Sequence, residues 1–71
     1  VKVYPNPIKN KFFFQANSTI GIIEIFDARD VCFYKNFCNE NVFDINVQNW
    51  SSGIYWIKCN NIAKTMSIII E

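Results

Sequence analysis

The sequence predicts an all-β fold, an immunoglobulin-like antiparallel β-sandwich of about seven short strands. Three observations lead there. β-branched and aromatic residues dominate, and no window sustains a helical apolar period. Short runs alternate apolar and polar, most cleanly Phe43, Ile45 and Val47 against Asp44 and Asn46. Turn-forming residues recur about every eight to twelve positions, the spacing of a sandwich. A small open barrel is the other architecture this pattern allows.

The first strand is expected over Val1–Tyr4, with Val1 and Val3 on one face. Pro5–Asn10 is a break. Pro5 gives up an N–H, and Asn6 precedes Pro7 and is pushed to extended backbone. The segment cannot continue a ladder, so the chain is expected to leave one sheet for the other. Lys11–Ala16 is the second strand, with Phe12 and Phe14 inward and Lys11, Phe13 and Gln15 outward. After the Asn17-Ser18 turn, Ile20–Phe26 is the third, with Ile23 and Ile25 sharing a face that excludes Glu24. Asp27–Asp30 is a polar turn and Val31–Lys35 the fourth strand. Asn36–Asn41 is expected to be a polar connection carrying Cys38.

Val42–Val47 is the fifth strand. Gln48–Ser52 is a loop, and Gly53 offers a positive φ before the sixth strand, Ile54–Cys59. There Tyr55, Ile57 and Cys59 face inward and Lys58 outward. Asn60-Asn61 is a tight hairpin turn, since Asn tolerates the left-handed region. Thr65–Ile70 closes the set, with Met66, Ile68 and Ile70 inward. These assignments leave Phe13, Ile22, Phe26, Tyr34, Ile54, Trp56 and Ile69 on outer faces. Large exposed apolar groups of that kind mark interaction surfaces.

At 71 residues the chain is one domain. Domains this small bury only about 60% of their unfolded surface. Seven Phe, three Tyr and two Trp fill a core economically. The net charge of +1 comes from scattered Lys and Arg with acids between them, not the concentrated basic face that nucleic acid requires. No apolar run approaches the roughly 20 residues of a membrane span. The sequence starts at Val1 with neither methionine nor signal peptide, as expected of a piece cut from a longer protein.

Little here suits catalysis or metal binding. With no His, the thiols lack their usual base. The three Cys allow three single-bridge pairings, and Cys32–Cys38 is a candidate local disulfide outside the cytoplasm. Cys59 falls on an inward position, where a thiol packs as a small hydrophobe. No CxxC pair supports zinc. Asp27, Asp30 and Asp44 would suit calcium only if turns gathered them; solvated turn carboxylates are the plainer reading. No cofactor, metal or catalytic residue is expected.

Three stretches and a closing segment carry a resemblance. They are Val3-Tyr4-Pro5-Asn6-Pro7, the strand Ile23–Phe26 running into Asp27-Ala28-Arg29-Asp30, and Phe43–Val47 followed across Trp50 by Gly53-Ile54-Tyr55-Trp56-Ile57-Lys58. The close is Met66-Ser67-Ile68-Ile69-Ile70-Glu71. In that order and spacing they resemble the type A C-terminal sorting domain of the type IX (Por) secretion system, over residues 1–71. The pattern's positions here are Tyr4, Pro5, Asn6, Pro7, Asp27, Gly53, Ile54, Tyr55, Met66, Ser67, Ile68, Ile69, Ile70 and Glu71.

The resemblance implies a folded secretion signal, not an enzyme. Its partners would be the secretion machinery, a surface sortase-like protease, and a covalently linked N-terminal cargo. The cargo would pass through the periplasm and across the outer membrane to the surface or the medium. The usual cleavage site would precede Val1, and the terminal strand would face the machinery. This sequence departs from the pattern at Asp30, where Gly is usual, and at Trp50, where Leu is usual. Ser67 stands where Lys is common and Glu71 where Lys or Gln is frequent, so the chain lacks those cations. The alternative is a fibronectin-like or carbohydrate-binding-like module in which aromatics such as Trp50 and Trp56 stack on sugars or contact a neighbouring protein.

Overall fold

A computed structural model describes residues 1–71. Its seven strands are β1 Lys2–Tyr4, β2 Lys11–Gln15, β3 Gly21–Phe26, β4 Cys32–Cys38, β5 Val42–Asn46, β6 Gly53–Cys59 and β7 Ile62–Ile70, with no helix. They sort into a three-stranded sheet, β1-β2-β5, and a four-stranded sheet, β4-β3-β6-β7, each antiparallel throughout. The two sheets form a sandwich, as the alternation demands.

Between them lie 14 buried apolar residues and no buried polar side chain. Phe12, Phe14, Ile23, Ile25, Ile45, Val47, Tyr55, Ile57, Cys59, Ile68 and Ile70 are all in this core, matching the inward parity of their strands. Phe43 and Met66 pack against its rim. Phe43 stacks on Phe14 with ring centroids 4.9 Å apart, across the Phe14–Phe43 register of β2 and β5.

Four expectations need correction. First, β4 does not stop at Lys35 but runs to Cys38, with Asn36 opposite Ile23 and Phe37 opposite Ile22. The polar residues Lys35 and Asn36 are tolerated within it because β4 is an edge strand. Second, Tyr34 lies opposite Ile25 and packs against the core, so it faces inward. Third, only Val3 of the Val1–Val3 pair reaches the core; Val1 is exposed. Fourth, Cys32 and Cys38 sit six positions apart along one strand, and strand rise separates them by about 20 Å. A disulfide needs Cα atoms within about 7 Å, so this pair cannot bridge; all three thiols are free.

Ile8 and Ile20 are fully buried, Ile8 although it belongs to no apolar run. Ile20 has the parity of exposed Ile22, but Gly21 between them holds φ at 83°, and this turn of the backbone resets the alternation. The same glycine makes room for the Asn60-Asn61 hairpin. A Cβ at Gly21 would collide with Asn60 Oδ1, which accepts a 2.7 Å bond from the Ile22 N–H.

Candidate recognition surface

The opening corner does what two prolines force it to do. The chain leaves β1 at Tyr4, and after Pro7 it lies against the last strand of the other sheet. Ile8 N–H donates to Ile69 C=O at 2.7 Å, Glu71 N–H donates to Ile8 C=O at 2.8 Å, and Ile8 pairs in parallel with Ile70. Asn6 completes the contact: its Oδ1 accepts from Ile69 N–H at 3.1 Å. Both X-Pro bonds, Tyr4–Pro5 and Asn6–Pro7, are cis. The corner thus caps one side of the terminal segment.

β6 closes the other side. Gly53 lies opposite Ile70, Ile54 opposite Ile69, and Tyr55 opposite Ile68. Gly53 has φ 146°, a conformation that side chains rarely adopt, although a Cβ there would meet nothing. Tyr55 is buried, and its hydroxyl donates to Ser51 C=O at 2.8 Å. Trp50 plugs this end of the sandwich, its ring 4.8 Å from Phe33 and 5.3 Å from Tyr55.

The acidic turn adjoins the same end. Asp27 Oδ1 accepts from the N–H groups of Arg29 and Val31, and Oδ2 pairs with the Arg29 guanidinium at 2.9 Å. These bonds, the Arg29 side chain first, hold the Asp27 carboxyl below its ordinary value against the opposing effect of burial. Asp30 sits at φ 65° without being glycine. A hollow of about 380 Å³ separates the Asp27–Arg29 turn from Ser51–Tyr55.

All four motif regions therefore meet at one end of the sandwich, around residues Ile68–Glu71. They do not all reach solvent. Tyr55, Ile68 and Ile70 are core, Met66 is half-buried, and Asp27 is spent on its own turn. Tyr4, Pro5, Asn6, Pro7, Gly53, Ile54, Ser67, Ile69 and Glu71 are exposed. Ile54 and Ile69, each close to half exposed, form one apolar pair beside the corner.

The outer apolar face is smaller than the strand parity implies. Phe13 is half covered by the stacked ring of Tyr4, 5.5 Å away. Phe26 lies beneath the Lys58 ammonium, 5.0 Å from its centroid. Phe33 and Phe37 are exposed on β4; Phe37 was missed because a polar connection was expected there, and Phe33 lay within the expected strand without a face assigned to it. Elsewhere, Asp44 pairs with Lys11 at 3.0 Å on the three-stranded sheet, so Asp27, Asp30 and Asp44 are not gathered around one point. Burial, with a smaller contribution from Cys38, pushes the Cys59 thiol up to about 11, so it packs as a neutral group.

A family model, the secretion system C-terminal sorting domain, matches residues 2–71. The chain belongs to this family. It is a sorting signal of type IX secretion, which implies interaction with that machinery and export to the surface or the medium. Signal domains of this kind are typically non-catalytic. No curated protein and no solved structure matches the chain. No helix of this sorting domain is long and apolar enough to cross a membrane.

Proposed function

We propose that the chain acts as a folded tag at the C-terminal end of a longer secreted precursor, residues 1–71 forming one domain. It directs a covalently linked N-terminal cargo from the periplasm across the outer membrane. A surface sortase-like protease then removes the tag, and the cargo is released or anchored. The machinery reads the end where the motifs meet: Tyr4–Pro7 on one side, Gly53-Ile54 on the other, and Ser67, Ile69 and Glu71 between. The buried motif residues Tyr55, Ile68 and Ile70 contribute by holding that end in shape.

The observation that carries this reading is the physical union of the first and last motifs through Asn6, Ile8 and Ile69. A tag read in the folded state needs a composite surface of this kind. Fusion of residues 1–71 to a periplasm-targeted reporter in a type IX-competent host tests it. The reporter is expected at the surface. If the intact tag delivers nothing, the reading fails.

A further inference from the structure

On the outer face of the four-stranded sheet, beyond Ile54, an open hollow of about 330 Å³ is lined by Phe26, Trp56, Asp30, Lys58 and Thr65. Its size falls at the lower end of small-molecule sites, about 300–1,000 Å³. Phe26 and Trp56 are directly opposed across β3 and β6, so two aromatic side chains sit side by side on one flat surface. Trp56 is more than a third exposed.

The polar groups around this floor are unspent. The Asp30 carboxylate, the Thr65 hydroxyl and the Trp56 indole N–H take part in none of the side-chain hydrogen bonds or ion pairs of the chain. Lys58 makes no ion pair; its ammonium lies over the Phe26 ring, so Trp56 is the more open ring of the floor and Phe26 borders it. Asp27, the nearby second carboxylate, is neutralised by Arg29.

This combination selects a ligand class. A carboxylate and an ammonium on one rim offset each other, so the rim does not select an ion of either sign. They suit a neutral ligand with many hydroxyls, each able to donate to Asp30 and accept from Lys58. An aromatic floor suits the apolar C–H face of a sugar ring. We propose that this hollow, built on Trp56 and Phe26 and rimmed by Asp30, Lys58 and Thr65, binds a neutral pyranose unit of a saccharide. The hollow adjoins the end assigned to the machinery, since Trp56 lies opposite Ser67, but its lining shares no residue with that end, and the proposal does not depend on the sorting reading.

The test is a ¹H–¹⁵N titration of the 71-residue chain with four probes: methyl mannopyranoside, methyl glucopyranoside, N-acetylglucosamine and galactose. Mannan and dextran are titrated in parallel. The expected result is a saturable shift of the Trp56 indole N–H and of the Thr65 and Asp30 amides, with the Trp50 indole unmoved. Response to the monosaccharides identifies a free-sugar site; response to the polymers alone identifies a polysaccharide-chain site. Trp56→Ala should weaken binding about tenfold or more. Asp30→Asn, which keeps the turn residue's shape, should weaken it as well. A dispersed spectrum of each variant shows that the fold is kept. Absence of any Trp56 shift with all six probes, or equal affinity in Trp56→Ala, overturns the proposal. So does a shift at Trp56 produced by an aromatic peptide and by none of the sugars.

Discussion

Asn6 fastens the terminal strand: its side-chain oxygen accepts from the Ile69 N–H across 63 residues of sequence, at 3.1 Å. The proline-flanked asparagine is therefore a clasp as well as a bend. It occupies a backbone donor that would otherwise form part of an exposed sheet edge. Asn6→Ala should cost about 0.5–1.5 kcal/mol, whereas Asn6→Asp, which keeps an acceptor at the same place, should cost less. Thermal unfolding of the two variants against the parent checks this. Equal loss in both would mean that the corner, and not the bond, sets stability.

Gly21 stands where a positive φ and a close side chain coincide. A left-handed Cβ costs about 1–2 kcal/mol by itself. It would also displace the Asn60 oxygen from the Ile22 N–H. Gly21→Ala is expected to lower stability by about 2 kcal/mol or more, read as the midpoint of chemical unfolding. Adding Asn60→Ala to Gly21→Ala should recover little, because the backbone cost remains.

These two positions also mark what the sequence could and could not tell. Strand existence was legible everywhere, and inward parity held wherever one strand ran unbroken, as in Phe12–Phe14 and Tyr55–Cys59. Parity failed at Ile20 because one glycine turns the chain, and the period-two rule assumes that nothing does. Ile8 was invisible for a different reason. A lone isoleucine between Pro7 and Lys9 has no periodic neighbours, and its burial comes from pairing with a strand some sixty residues away. Tyr34 was put on the wrong face of its strand, whose pairing with β3 shifts register between Ile25 and Phe26, and Asn36 was obscured by the polar composition of an edge strand. For the motif residues, sequence order could not separate surface Ile69 from core Ile68 and Ile70, nor place the Asp27 turn beside Gly53.

Asp30 carries a positive φ without being glycine. Asp enters that region more easily than most residues, though still at a cost that Gly avoids. Asp30→Gly should raise stability by up to about 1 kcal/mol. Asp30→Val should lower it by more, since a β-branched residue is a poor occupant of that region. The comparison of melting temperatures checks the order Gly, Asp, Val.

Asp27 gives the fold an acid-sensitive turn. Its carboxyl is held low in the folded state by the Arg29 side chain and by the Val31 and Arg29 N–H groups. A lowered folded value means stabilisation that is fully present above the unfolded value of about 4. It is lost as pH falls through the still lower folded value. Asp27→Asn should therefore be less stable than the parent near neutrality, with the gap closing as pH falls below the unfolded value of about 4. Melting temperature measured against pH checks this. A gap that is constant through the acid range would assign the effect to geometry and not to charge.

Ile68, Ile69 and Ile70 separate stability from recognition within three consecutive residues. Ile68 and Ile70 are buried in the core, whereas Ile69 pairs with Ile54 on the outside. Ile68→Ala and Ile70→Ala should each cost about 2–5 kcal/mol, enough to unfold a small domain. Deleting Thr65–Glu71 has the same defect, because loss of delivery would then report unfolding. Ile69→Ser, alone or with Ile54→Ser, removes apolar surface from the outer face, where substitutions usually change stability by less than about 1 kcal/mol. If the machinery reads this end, the double variant keeps the parent's melting temperature to within a few degrees and loses most surface delivery of a fused reporter. Full delivery by a folded double variant would remove Ile54 and Ile69 from the recognised surface and leave the corner, Tyr4 to Pro7, as the part to be tested next.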